Sequence, residues 1–503
     1  MRATKRAGEP AVSLPGVGFW PAALALGVLM ALALPTEPLF SDNQNTKFLH
    51  GLAAAGYGQL DADWQANTRN GLPLFTALVE AVARTGGIVA FYVLQVGVFV
   101  ALAAALLAWH RRVAVDAGLG AASWVPMLLA LALLHSNQGT AELFEGVAKQ
   151  HIVGRVLEPA NIGVLLVAGA LALHVGRAVP GAAALAAAAA VHPGYVVPAT
   201  VLLAAGLVAY GGDLSRRELA LAAAVGFGGL ALNTALLARG FPATSPELAM
   251  EAARILTEIR IPHHSELAQW FDVDAAAKLA LVLGAVALTR KRSLGRFLAI
   301  SLVVTVALSL ATLAPGTAPL RLVAPWRTSV ALVPIAVVVV LTYGLAWLVP
   351  RLGRPRRWAW GAGLVTAAVV TFNVTEKARA YLDAERPAHH AWVREHGRAG
   401  DVFLTPVGDQ DFRLATGMPQ YVSFKSHPYQ DVEVLEWHRR VELAREVQAA
   451  PAASCARLRR AGERAGVTHV VWPRGRVEKA PCGFLERVYG DREVMIFALT
   501  TAG

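Results

Sequence analysis

Charge is scarce in this chain, at 16% of its 503 residues, where soluble domains carry about 25%. That shortage excludes a surface that faces water throughout. Cysteine is scarcer still, with Cys455 and Cys482 as the only two. The sequence contains no P-loop, dinucleotide fingerprint, zinc-site spacing or nucleic-acid motif. The net charge of +11 therefore needs no nucleic-acid partner. Ionisable residues are also missing from the middle of most apolar runs, Lys278 and the polar Asn233 being modest exceptions. Transporters usually place such groups midway through their spans.

What the chain has in quantity is apolar residues, 55% of the total, gathered in long runs. Stretches 17–35, 87–109, 119–135, 161–175, 194–210, 218–238, 274–289, 296–314, 328–349 and 357–373 approach or reach the roughly 20 residues that cross a bilayer. The Ala-rich run 181–191 is a weaker eleventh. The first run follows Arg2, Lys5 and Arg6 but is too long for a signal-peptide core and lacks a small-residue cleavage site. It reads as a retained span.

Lys and Arg gather in short connectors: Arg111/Arg112, Arg177, Arg216/Arg217, Arg290–Arg296 and Arg351–Arg357. Cytoplasmic loops are enriched in these residues, and such connectors can also meet anionic membrane lipids. They alternate with longer, less basic loops at 36–86, 136–160, 239–273 and 315–327. Alternation holds along the chain with a cytoplasmic N-terminus and eleven spans, if His192-Pro193-Gly194-Tyr195 breaks 181–210 into two segments. A single kinked helix or a re-entrant pair there is the rival reading. The expected fold is an all-α polytopic membrane domain, 1–373, followed by an extracytoplasmic α/β domain, 374–503. The expected location is the inner (plasma) membrane, with the C-terminus outside the cytoplasm.

In that tail, 391–396 and 433–449 read as helices, and 402–405, 420–424, 468–472 and 494–499 as strands. An oxidising compartment permits Cys455 and Cys482 to pair; their spacing leaves pairing open.

Sorted by side, the chemically interesting residues fall on the outer face. Asp42 lies in a dense polar segment, Phe40-Ser41-Asp42-Asn43-Gln44-Asn45-Thr46-Lys47, directly after the first span. Asp61 and Asp63 follow, reading as caps or solvated loop charges. Glu142, Glu145 and Lys149, spaced as on one helix face, read as a salt-bridged surface helix; His151 and Arg155 follow them. His192 and Tyr195 sit at the helix break, His263 and His264 in the next outer loop, and Arg321 and Arg327 in the last. His192 also suits a plain task, bonding backbone freed by the break. The His263–His264 pair invites a metal reading, but adjacent residues on a regular element point apart, so substrate contact is the better reading. Asp42 equally suits an N-cap.

The N-terminal span, the acidic residue in a long first outer loop, the later spans and the outer C-terminal domain together resemble the GT-C glycosyltransferases. The local match is Leu39-Phe40-Ser41-Asp42, followed by a helical segment 46–56 and Gly56-Tyr57-Gly58. The likeness covers the architecture and the first hundred residues, and departs from the family where Asn43 follows Asp42 instead of a second acid. It implies transfer of a sugar from a polyprenyl-phosphate donor to an extracytoplasmic acceptor, with Asp42 as base. A divalent cation is the one cofactor the resemblance allows.

The chemistry is independent of the resemblance. An acceptor hydroxyl must lose its proton as it attacks the anomeric carbon, and the leaving phosphate needs cations, for which Arg is suited. Arg321 and Arg327, with Lys149, His151 or Arg155, are the expected phosphate ligands. Two other classes stay open: a membrane scaffold or assembly factor that keeps the architecture without catalysis, and a transporter or flippase of lipid-linked sugars. Oligomeric state is not legible.

Overall fold

The computed structural model describes residues 18–34, 38–119, 123–154, 156–351 and 355–500, with side chains omitted over 355–359. Arg2, Lys5, Arg6, Arg155 and Arg354, and the side chains of Arg356 and Arg357, lie outside the described residues.

Among the described residues, every apolar run read from the sequence contains a helix. In chain order these helices are α1 (Phe19–Ala33), α2 (Pro73–Asp116), α3 (Trp124–Leu134), α4 (Val164–His174), α5 (Ala178–Val191), α6 (Val196–Tyr210), α7 (Arg216–Gly240), α8 (Val273–Thr289), α9 (Ser293–Ala311), α10 (Ser329–Leu348) and α11 (Pro355–Leu382). Among the described residues, five stretches are long and apolar enough to cross a membrane: Pro73–Asp116, Pro193–Asp213, Arg216–Gly240, Ser293–Ala311 and Ala318–Arg351. This is fewer than the eleven expected. Phe19–Ala33, Trp124–Leu134, Pro159–His174 and Ala178–Val191 are apolar but shorter. The reason is geometric. An 11-residue helix such as α3 rises only about 17 Å, against about 30 Å of hydrocarbon, and the flanking turns carry apolar residues that hydropathy counts as span.

Large apolar side chains stand exposed along several helices, among them Leu221, Leu232 and Leu236 on α7, Val303 and Leu310 on α9, and Trp360, Leu364 and Phe372 on α11. Exposed apolar surface on this scale marks an interaction face and is compatible with a membrane protein. Inside the bundle, small residues bring backbones together. A Cβ added at Gly181 of α5 would stand 2.8 Å from the Gly169 carbonyl oxygen of α4, the close approach typical of membrane helix pairs.

Two breaks define the face that carries the site. Gly87 (φ 60°) kinks α2, separating a portion within the first long loop from the apolar portion where the sequence placed the boundary. The sequence His192-Pro193-Gly194-Tyr195 ends α5, forms one 3₁₀ turn over Pro193–Tyr195 and starts α6. Pro193 supplies no N–H to continue α5, and α5 and α6 pack on each other. Two helical segments form, as the charge pattern favours, but α5, at 14 residues, is shorter than a full span.

The tail begins with α12 (Ala388–His396) and contains α13 (Asp431–Ala449), α14 (Cys455–Ala465) and a four-stranded sheet in the order β1-β2-β4-β3. The strands are β1 (Phe403–Leu404), β2 (His469–Pro473), β3 (Leu485–Gly490) and β4 (Val494–Leu499). β1 pairs parallel with β2, and β4 runs antiparallel to both β2 and β3. The expected strand at 420–424 is reduced to one bridge, Phe403 with Gln420, while β3 and α14 were not foreseen. Cys455 and Cys482 form a disulfide, joining α14 to the segment before β3.

The tail is not a free appendage. Ala252, Ile255 and Leu256, from the long loop after α7, share one apolar core with Val434, Trp437 and Val441 of α13. The first loop docks on its other side. Gly58, at φ 58°, lies so close to Gly417 that a Cβ would stand 2.3 Å from the Gly417 oxygen, and that oxygen accepts the Gln59 N–H at 2.7 Å.

Candidate functional site

The polar segment after α1 is folded around its own amides. Phe40 and Asp42 have φ of 73° and 48°, a left-handed backbone that non-glycine residues adopt only when neighbours enforce it. Gln44 and Asn45, both fully buried, do the enforcing. The Gln44 Oε1 accepts the Phe40 N–H at 2.7 Å, and its Nε2 donates to the Leu157 carbonyl at 3.1 Å. The Asn45 Nδ2 donates to the Asp42 carbonyl at 3.3 Å and to the Asp411 Oδ1 at 2.6 Å. The helix that follows, Gln44–Lys47, starts after Asn43 without a side-chain cap. The Asp42 carboxylate is therefore not a helix cap. It meets the Lys425 ammonium at 2.6 Å, with both side chains partly exposed.

Lys425 belongs to a tail loop, Lys425-Ser426-His427-Pro428-Tyr429, that lies over this segment. Its carbonyl collects the Arg260 Nη2 at 2.6 Å, the Arg260 Nε at 3.2 Å and the Thr46 hydroxyl at 3.2 Å. Arg260 comes from a π-helical turn, Ile255–Arg260, a widened geometry frequent at functional sites. Lys47 donates to the Tyr429 hydroxyl at 2.9 Å. Beside these, Lys47, His50, Arg69, His427 and Tyr429 line a small open cleft between the first loop and the tail.

The helix-break residues face the same region. The Arg327 Nε donates to the Gln150 Oε1 at 2.9 Å, and its guanidinium lies against Gly194, where a Cβ would be 1.9 Å from Nη1. His192 accepts the Gly194 N–H at 3.3 Å through Nδ1, and Tyr195 donates to the Ala160 carbonyl at 2.7 Å. The plain reading of His192 thus holds, within a cluster. His151 is paired with Glu158. His264 donates from Nδ1 to the Ala148 carbonyl at 2.7 Å, and His263 stands exposed beside it, ring centres 4.1 Å apart. Lys149, at φ 54°, is exposed on the rim.

Electrostatics tie these groups into one basin. Burial opposes charge on His151, but the Glu158 carboxylate, with Glu145 and Asp42 beyond it, raises its pKa to about 9. Burial lowers His264 to about 3, reinforced by His263 and Arg327. His427 is pushed well below the usual imidazole range by burial and by Arg260 and Lys47. Burial lowers Arg260 to about 10, partly offset by Tyr429 and Asp42. Burial would raise Tyr429, yet Lys47, Arg327 and Arg260 together bring it below the ordinary phenol value. The basin is therefore a cationic cluster around the partly exposed Asp42 carboxylate, with a charged His151–Glu158 pair and several neutral imidazoles.

Of the residues selected from the sequence, Asp42, Lys149, His151, His192, Tyr195, His263, His264 and Arg327 converge here. Arg321 does not. It is engaged by Glu266 and, at 3.5 Å, by Glu258. The expected helix through Glu142, Glu145 and Lys149 is absent: Glu142–Phe144 is one 3₁₀ turn, and Ala148 and Lys149 both have positive φ. Asp63 is no solvated loop charge. It is fully buried, accepts the Gln65 N–H at 2.8 Å through Oδ1, and accepts the Arg413 Nε at 2.7 Å and the Gln420 N–H at 2.8 Å through Oδ2.

Sequence reasoning did not select Lys47, Arg260, Lys425, His427 and Tyr429. Lys425 and His427 suit a role in stabilising the tail or docking it on the membrane portion, but nothing local says that 425–429 closes on the segment after the first span, more than 370 residues earlier.

Residues 387–444 match a family described as a Domain of unknown function (DUF6798). The matched stretch contains Asp411, Arg413, Lys425, His427 and Tyr429, so the tail residues that bond Asn45, Asp63, Asp42 and Lys47 of the first loop fall within it. No curated protein and no solved structure matches the chain.

Proposed function

We propose that this chain is an integral membrane glycosyltransferase of the GT-C kind, moving a sugar from a polyprenyl-phosphate donor to an extracytoplasmic acceptor. The observation that carries the proposal is the Asp42 carboxylate, about one-third exposed and paired with Lys425, within a cluster of cations that includes Arg260, with Lys47 and Arg327 gathered beside it around Tyr429. In this reading all eleven apolar helices cross or enter the inner membrane, the shorter ones relying on flanking turns and bilayer adjustment. The N-terminus is cytoplasmic and the tail outside, where an oxidising compartment accounts for the Cys455–Cys482 bond.

Chemically, Asp42 takes the acceptor hydroxyl proton as that oxygen attacks the anomeric carbon, and the C–O bond to the lipid phosphate breaks. The departing phosphate gathers negative charge, which Arg327 and the ammonium groups stabilise in place. The Asp42–Lys425 pair is then the resting state. An arriving phosphate draws Lys425 away and leaves the carboxylate free to act as base. A metal fits poorly here. Among the described residues the three-ligand cluster of His and acidic groups lies elsewhere and excludes Asp42, His263 and His264, so no step is routed through a metal.

The scaffold reading keeps one point in its favour, the ion pair that neutralises Asp42. Transport is less favoured. Lys278 is paired with Asp274 at 2.7 Å, and the Asn233 amide donates to the Ala189 carbonyl at 3.0 Å, so both polar span residues are locally engaged. Membranes bearing Asp42→Asn should lose transfer activity by about 10²–10⁴-fold at unchanged protein level. Unchanged transfer would leave the scaffold reading standing.

A further inference from the structure

In the tail, away from the basin, α12 opens with two adjacent histidines after Pro387. His389 and His390 are 5% and 3% exposed. Being adjacent, they would ordinarily point apart, yet here both rings turn to one carboxylate. The His389 Nε2 lies 3.2 Å from the Asp409 Oδ2, and the His390 Nε2 lies 3.0 Å from Oδ1. One ligand atom from each of the three residues falls within 4.8 Å of the others. We propose that His389, His390 and Asp409 bind a divalent transition-metal cation of the zinc class.

Three arguments carry it. The donor set is right: two imidazoles and a carboxylate with an open fourth position is a zinc arrangement, and metal–ligand distances of about 2.0–2.2 Å place ligand atoms near the separations seen. The carboxylate is committed to these two rings. Among the described residues, the hydrogen bonds and ion pairs of the Asp409 carboxylate go to the two imidazoles alone. Finally, the parts are held in place. The Asp409 carbonyl accepts the Gln420 amide at 2.9 Å, and His390 packs edge-on against Phe412.

The competing arrangement is a metal-free clamp in which both Nε2 atoms carry protons and donate to Asp409. The Nδ1 atoms of both rings are buried without hydrogen-bond partners among the described residues. Metal binding through Nε2 moves each ring proton to Nδ1, where no acceptor waits. Outer partners of this kind are worth about 10–100-fold in affinity each. The site is therefore expected to bind more weakly than a structural zinc site.

A bound cation would also fix the segment that docks the tail. Asp411, two residues on, receives the Asn45 amide, and Arg413, four residues on, holds Asp63. The proposal does not depend on the transferase reading, since these ligands are outside the basin.

Zinc should be titrated into the chelator-treated full chain in detergent, in competition with a chromophoric chelator. Wild type and Asp42→Asn should each take up one equivalent, and zinc should raise their melting temperatures. Asp409→Asn, which keeps size and one hydrogen-bonding oxygen, and His390→Gln should take up none and show no zinc-dependent shift. Their folding is checked by an intact Cys455–Cys482 bond and an unchanged circular dichroism spectrum. Absence of uptake by the wild type, or uptake retained by folded Asp409→Asn, overturns the site in favour of the metal-free clamp.

Discussion

Two aspartates of the first loop, twenty-one positions apart, have opposite surroundings. Asp63 is fully buried and saturated by Arg413 and two backbone N–H groups. Asp42 is about one-third exposed and has a single ammonium partner at 2.6 Å. A buried, fully bonded carboxylate paired with guanidinium has no spare lone pair at the surface and no reason to change state. It holds two parts of the molecule together. A half-exposed carboxylate beside movable cations can exchange partners, which chemistry on a substrate requires. The seam and the basin are built from the same loop and the same tail, and differ in how completely their polar groups are satisfied.

The largest effect should come from breaking the seam. Asp63→Ala leaves Arg413 charged and unpaired in a buried place, costing about 3–5 kcal/mol. A denaturant titration in detergent, with limited proteolysis of the tail, should show the loss. A cost below 1 kcal/mol would remove Asp63 from the structural side of the comparison.

Reduction of the disulfide, or Cys455→Ser, acts within the tail. The bonded residues are 27 apart, and opening such a loop costs about 2–4 kcal/mol. Thermal unfolding with and without reductant measures it, and no difference would count against a cross-linked tail.

The His151–Glu158 pair makes the basin sensitive to pH. The folded pKa of His151 is raised to about 9, above its unfolded value of about 6.5. Its contribution is complete below about pH 6.5 and disappears as pH rises through about 9. Melting temperature should fall across that window in wild type and fall less in His151→Gln. Parallel curves would contradict the pairing.

The smallest structural effect belongs to Asp42. Its exposed ion pair is worth about 0–1 kcal/mol, so Asp42→Asn should melt within a degree or two of wild type. A large destabilisation would move Asp42 to the side of Asp63 and weaken its claim to chemistry.

Much of the site was legible because topology sorts residues by side. Asp42, His151, His192, Tyr195, His263, His264, Lys149 and Arg327 were chosen for sharing a face, and they meet. Arg321 and Arg327 could not be told apart in sequence. The structure separates them through Ala324, whose left-handed backbone at φ 48° ends the short helix Ala318–Val323, leaving Arg321 to Glu258 and Glu266 and Arg327 to Gln150. Asp63 looked like any loop acid because its partner lies 350 positions away. Helix positions followed from hydropathy, but helix lengths did not, since turns such as Pro159–Gly163 carry apolar residues without extending an α-helix. Strand β3, Leu-Glu-Arg-Val-Tyr-Gly, is an edge strand with exposed charges, and edge positions weaken the alternation that marks a strand.

The most direct test of the central claim is a mass profile of lipid-linked sugars in cells whose only copy carries Asp42→Asn. If Asp42 is the base of a transferase, the polyprenyl-phosphate donor accumulates as in a strain lacking the protein, with the variant present at wild-type level in the membrane. A donor profile equal to wild type, with the variant equally abundant, would contradict the claim and leave the basin without a catalytic carboxylate.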